Sequence, residues 1–129
     1  MHLEGKGKVI GIIGTHSRNG SDDFNLVREE FFCIYESGDW LCSGDCQKGG
    51  DTFALKISRK EGIPILMFPP GEREFGYKKF FRRNDLIAQA SDVLIACVIK
   101  PFDINQRGGT SYTCRKFLKL HPNGILETI

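Results

Sequence analysis

The residues best suited to chemistry in this 129-residue chain fall in three glycine-containing turns. The first is Gly14-Thr15-His16-Ser17-Arg18-Asn19, which follows the apolar run 9–13. The second runs from Ser43-Gly44 to Gly49-Gly50-Asp51, after Trp40-Leu41-Cys42. The third is Arg107-Gly108-Gly109-Thr110-Ser111, beyond the apolar run 93–99. Each precedes a segment with helical patterning. Strand, glycine turn and helix in succession present free backbone N–H groups to a phosphate or another anion. Three such turns in register predict one pocket at one edge of a parallel sheet.

The side chains around these turns fit that chemistry. Gly14 would let a ligand approach the backbone. Thr15 and Ser17 offer hydroxyls, and Arg18 offers a guanidinium able to hold phosphate bidentately. The competing reading is a tight turn with solvated polar residues. In the second cluster, Ser43, Gly44, Gly49, Gly50 and Asp51, the aspartate either caps the next helix or accepts hydrogen bonds from ribose. Arg83 and Asn84 either meet a phosphate and a base or, respectively, join a basic surface with Lys78, Lys79 and Arg82 and cap a helix. Phe75, Tyr77, Phe80 and Phe81 either stack on bases or fill their own loop. Gly108, Gly109 and Thr110, at a helix start, are the strongest phosphate candidates. His16 alone among the histidines lies on a site turn, and no adjacent nucleophile makes it a base.

These residues need a frame. Apolar, β-branched 8–14 suits a strand buried on both faces. Ser21-Asp22-Asp23 can cap a helix over 24–36, ended by Gly38, with Val27, Phe31, Ile34 and Tyr35 on one stripe. A strand at 40–43, a helix at 52–61 and a strand at 63–68 follow. Residues 72–81 read as a polar, aromatic loop and 84–90 as a short helix. Residues 92–99 read as the most hydrophobic strand, 110–120 as the last helix, and 125–126 as an edge strand. This alternation predicts an α/β, Rossmann-like, doubly wound and mostly parallel sheet. The first strand is central, the second and third lie to one side, and the fourth lies to the other. No repeat, low-complexity tract or linker divides the chain, so one domain over 1–129 is expected.

Composition narrows the class. Hydrophobic residues make up 40%, and the net charge is +2, too small to argue for nucleic acid alone. No apolar run reaches the ~20 residues that span a bilayer, and the first residues are polar, with no signal-peptide core. Five cysteines, an odd number, fit a reducing compartment, so a cytoplasmic location is expected. Cys33, Cys97 and Cys114 sit among apolar neighbours as core residues. Cys42 and Cys46 lie four apart without a second pair, so no metal is expected, nor any other cofactor.

The order of short motifs resembles a known family. A strand ends in Gly14-Thr15, then Ser43-Gly44 leads to Gly49-Gly50-Asp51 and Gly62-Ile63-Pro64. Arg83-Asn84-x-x-Ile87-Ala88, Ala90-x-Asp92-x-Leu94-Ile95-Ala96 and Gly108-Gly109-Thr110 follow. Over about residues 8–120 this resembles the SLOG superfamily of Rossmann-like proteins, particularly its YspA-type branch. Relatives there include the Lonely Guy phosphoribohydrolases and the DNA-processing protein DprA. The resemblance implies binding or sensing of a nucleotide or nucleotide-derived ligand. An enzyme of the family would be a nucleoside-phosphate glycosidase or a deoxyribosyltransferase. The Lonely Guy signature, Pro-Gly-Gly-x-Gly-Thr-x-x-Glu, departs here. Thr113, or Cys114 one residue on, stands where glutamate would stabilise an oxocarbenium-like centre. Of the carboxylates, Asp45, Asp51 and Asp92 remain for that role, Asp92 better placed to start a strand. A single-stranded nucleic-acid binder using Lys78, Lys79, Arg82 and Arg83 is the further alternative. Apolar surface on the outer helices would also permit a homo-oligomer.

Overall fold

A computed structural model describes residues 7–44, 50–69 and 78–129. The first strand, β1 (Val9–Gly14), is buried along its whole length. It pairs with β2 (Trp40–Gly44) on one side and with β4 (Val93–Cys97) on the other. β3 (Ile65–Phe68) and β5 (Ile125–Thr128) complete a parallel sheet of five strands in the order β3-β2-β1-β4-β5. The helices are α1 (Ser21–Ile34), α2 (Gly50–Glu61), α3 (Lys78–Ala90) and α4 (Gly109–Leu120). The fold is a doubly wound, Rossmann-like α/β sheet, with β1 central as the sequence predicts.

The pleat sorts the core into two layers. Ile10 and Ile12 of β1, with Ile95 and Cys97 of β4, face Val27 and Phe31 of α1 and Phe53 and Ile57 of α2. Val9 and Ile13, with Leu94 and Ala96, face Ile87 of α3 and Cys114 and Phe117 of α4. Runs buried on both faces are apolar at every position, which is why β1 and β4 read so plainly as strands. No helix among the described residues is long and apolar enough to cross a membrane.

Several element ends differ from expectation for identifiable reasons. α1 starts at Ser21, with Gly20 as its N-cap. The Asp23 carboxylate reaches back to the Gly20 N–H at 3.4 Å, so it serves the helix start from inside the first turn. α1 stops at Ile34, because Tyr35 is extended, and Gly38 belongs to the turn into β2. Residues 78–81, expected in a loop, are the first turn of α3. The Phe81 ring packs on Tyr112 of α4 with centroids 4.6 Å apart, a tertiary contact that local patterning does not carry. Asn84 is therefore well inside the helix and is not its cap. β4 ends at Cys97, short of the expected 99: Val98 N–H still donates to the Ile129 carbonyl at 3.0 Å, continuing the β4–β5 bonding by one step, and Ile99 beyond it is exposed. Cys33, expected in the core, is exposed because it lies off the Val27–Phe31 stripe, whereas Cys42 is buried. Cys46 lies outside the described residues.

At the sheet's N-terminal pole, Asp39 is 3% exposed. Its carboxylate accepts the Lys8 N–H at 3.0 Å, the Lys8 ammonium at 2.6 Å and the Glu36 N–H at 2.8 Å. Asp92 likewise accepts the Val9 N–H at 2.8 Å, joining the start of β4 to β1. The carboxylate expected to open a strand lies one residue before β4 and ties its start to β1.

Candidate functional site

At the C-terminal edge of the sheet, Gly14 is in register with Cys97, so β1 and β4 end side by side. Connections leave these two strands in opposite directions, toward α1 and α4, and a crevice opens between them. It is a cleft of about 470 Å³. Its floor is Ile13 and Gly14, and Thr15 and His16 form one lip. Val98, Ile99 and Phe102 make an apolar wall. Arg83, Asn84 and residues 106–111 also line the cleft.

The start of α4 is tied down by several hydrogen bonds. Gly108 takes φ 124°, a left-handed value that only glycine adopts without strain, and it turns the chain into the helix. The first intrahelical bond is Tyr112 N–H to Gly108 O at 3.0 Å. The N–H groups of Gly109, Thr110 and Ser111 precede it and have no partner within the helix. All three residues line the cleft. The loop before them is tied to the helix itself. Arg115 Nη1 donates to the carbonyls of Ile104 at 2.7 Å and Gln106 at 2.9 Å. Ser111 Oγ lies 2.7 Å from Gln106 O and 3.1 Å from Gly108 O, either of which accepts its proton. Asp103 Oδ1 accepts the Asn105 N–H at 2.9 Å within the loop.

Arg83 and Asn84 are 8% and 5% exposed, unusual burial for such side chains. Asn84 Oδ1 accepts from Arg83 Nε at 3.4 Å and Nη2 at 3.3 Å, long contacts that hold the pair together. The guanidinium lies on Gly44: a Cβ there would sit 2.8 Å from Arg83 Nε and 2.9 Å from its Cδ. On the other side, Asn84 Nδ2 is 3.3 Å from where a Gly109 Cβ would be. The pair thus bridges the end of β2 to the start of α4. Its helix is held in place by Tyr112, whose hydroxyl donates to Asp85 Oδ1 at 2.6 Å. That bond, reinforced by desolvation, pushes the Tyr112 hydroxyl up to about 12.

The basic side chains of the cleft are His16, Arg83 and Arg107, and no carboxylate is among the described residues lining it. The positive end of α4 adds to this field. Among the described residues no group of three or more His, Cys, Asp or Glu side chains is placed to hold a metal ion. Thr113, at the position where the resemblance would want glutamate, is 1% exposed. Its hydroxyl donates to Gly109 O at 2.7 Å, back along its own helix.

The structure brings Gly14, Thr15, Arg83, Asn84, Gly108, Gly109 and Thr110 into the one cleft. Gly44 sits directly beneath Arg83. Ser17 is exposed on the turn, 3.4 Å from the Thr15 hydroxyl and outside the lining. Arg18 is engaged elsewhere. Its Nε donates to Asp23 at 2.9 Å, and its Nη1 donates to Val98 O at 2.7 Å and to Ile129 O. Ser43 is buried and donates to Ile12 O at 2.7 Å, a bond between strands rather than toward the cleft. Gly50 and Asp51 open α2, the side chain of Asp51 lying outside the described residues, as does Gly49. Sequence reasoning did not point to Phe102 or Gln106, and it named Arg107 and Ser111 in the third turn without giving either a role in the site. Arg107 carried a usable signal, a cation directly before the glycine pair. Phe102 and Gln106 carried none, because their place depends on the loop's hydrogen bonds to α4.

Compared with protein-family models, curated proteins and solved structures, the chain matches none.

Proposed function

We propose that this cleft binds the phosphate of a nucleotide or nucleotide-derived ligand, and that the protein is a binding or sensing module of the kind the SLOG resemblance implies. One observation carries the reading. Three helix-start N–H groups, the Asn84 amide and two guanidinium-bearing residues share one cleft with no carboxylate among its described lining. Such an arrangement favours an anion over a neutral ligand. The apolar wall of Val98, Ile99 and Phe102 suits the flat, less polar part of the same molecule. A volume of about 470 Å³ suits one nucleotide better than an extended strand.

Binding without base–sugar hydrolysis is the reading that Thr113 supports. Its hydroxyl is satisfied by backbone and carries no charge to stabilise a sugar cation. The four free cysteines among the described residues fit a reducing, cytoplasmic setting.

A thermal-shift screen across nucleosides, their monophosphates and larger nucleotides tests the reading. A ligand at one hundred times its dissociation constant adds ~2.7 kcal/mol of stability. Phosphorylated compounds should raise the melting temperature and free nucleosides much less. A screen in which no phosphorylated compound shifts it discards the assignment. Rapid release of free base from a monophosphate would instead make the protein an enzyme.

A further inference from the structure

We infer that Arg107 is the mobile cation of the cleft, closing on the ligand's anionic group from the rim while Arg83 holds it from within. The inference rests on the phosphate reading above and adds a residue and a division of labour to it.

The three basic side chains of the cleft are not equivalent. Arg83 is buried, packed on Gly44 and bound to Asn84, so its guanidinium is fixed. His16 has an interaction of its own. Arg107 is exposed and makes no hydrogen bond, ion pair or ring contact with any described residue. Arg18, the guanidinium that the sequence places at the first turn, is committed to Asp23 and two carbonyls. Within the cleft, the free guanidinium comes from the third turn.

The backbone carrying Arg107 is as fixed as its side chain is free. The Gln106 carbonyl, one peptide before it, accepts from both Ser111 Oγ and Arg115 Nη1. The next residue, Gly108, sets the helix entry. A long side chain on a rigid anchor, two residues before the N–H group of Gly109, sweeps the space in front of that helix start. Ordering it costs rotamer freedom, and a charge-assisted, bidentate contact with phosphate is the interaction that outweighs this cost.

Calorimetry on Arg107→Gln, Arg107→Lys and the wild type tests the inference, using the common ribonucleoside monophosphates and their nucleosides as probes. Arg59→Gln, an exposed arginine in the last turn of α2, controls for net charge. Arg107→Gln should weaken the tightest monophosphate by about tenfold or more and leave its nucleoside nearly unchanged. Arg107→Lys should recover part of the loss, since it keeps the charge and loses the planar fork. Wild-type binding that Arg107→Gln does not weaken overturns this inference alone, and so does an equal loss in Arg59→Gln or an equal loss for the nucleoside. If the wild type binds no monophosphate, the phosphate reading and the role of Arg107 fall together.

Discussion

Arg18 shows how one side chain's role depends on residues far from it in the chain. Read beside Gly14 and Thr15, it is a phosphate ligand. In the structure it joins the α1 entry to the carbonyls of Val98 and Ile129, 80 and 111 residues away. No local pattern announces acceptors at that distance, so this part of the site was not legible. Arg18→Ala should therefore lower unfolding stability, by ~1.5–3 kcal/mol for a lost charged hydrogen bond, with little change in nucleotide affinity. Denaturant titration and calorimetry on the same variant separate the two effects. A loss of affinity with unchanged stability would return Arg18 to the site. Gly109→Val should do the reverse. A Cβ at this position already meets Asn84 Nδ2 at 3.3 Å, and branching adds bulk where a ligand would approach the amides. Phosphate-dependent binding should be lost while the fold persists, as circular dichroism would record.

Among the elements, α3 is the one that the sequence describes least well and the site needs most. β1 and β4 are legible because burial on both faces leaves their sequences apolar throughout. α3 begins with a basic, aromatic stretch whose helical state depends on Phe81 meeting Tyr112. Asn84 at a helix start is a reasonable cap, and only the extra turn at 78–81 moves it inside. Tyr112 couples α3 to α4 through Asp85. Because this bond raises the Tyr112 hydroxyl to about 12, the folded state favours the protonated phenol. The stabilisation is complete below the ordinary tyrosine value of ~10 and declines as pH rises through about 12. Tyr112→Phe should remove that decline from the pH–stability curve and also weaken nucleotide binding at neutral pH, by loosening Asn84 against Gly109. A variant with wild-type affinity would mean that α3 is held without this bond.

The whole molecule separates its work between two poles. The cleft opens at the C-terminal edge of the sheet, and Asp39 closes the opposite edge with the Lys8 ammonium and two N–H groups. Burial opposes the Lys8 charge, but the Asp39 hydrogen bond and charge outweigh it and raise its pKa. That stabilisation is full below the ordinary lysine value of ~10.4 and is lost as pH climbs through the raised one. Asp39→Ala removes the acceptor of the part-buried Lys8 ammonium and of two N–H groups and should cost ~1.5–3 kcal/mol in urea titration. Nucleotide affinity, measured well below the melting temperature, should be unchanged, since no bond of Asp39 reaches the cleft. The strand order was legible at this scale because the alternation of apolar runs and helical segments permits few right-handed arrangements.

The loop before α4 is fastened by its own backbone: the carbonyls of Ile104 and Gln106 receive the bonds from Arg115 and Ser111. A main-chain carbonyl is present whatever residue bears it. The scaffold is thus blind to the side chain at 107, whereas Phe102 packs against the core and Gln106 Oε1 accepts the Asp103 N–H at 3.4 Å. Position 107 is free to drift over evolutionary time, or to be randomised in a library, while the helix keeps its grip on the loop. Recognition of a new ligand could be written there without redesigning the anion-binding end, which makes this connection the natural place to re-engineer what the protein binds.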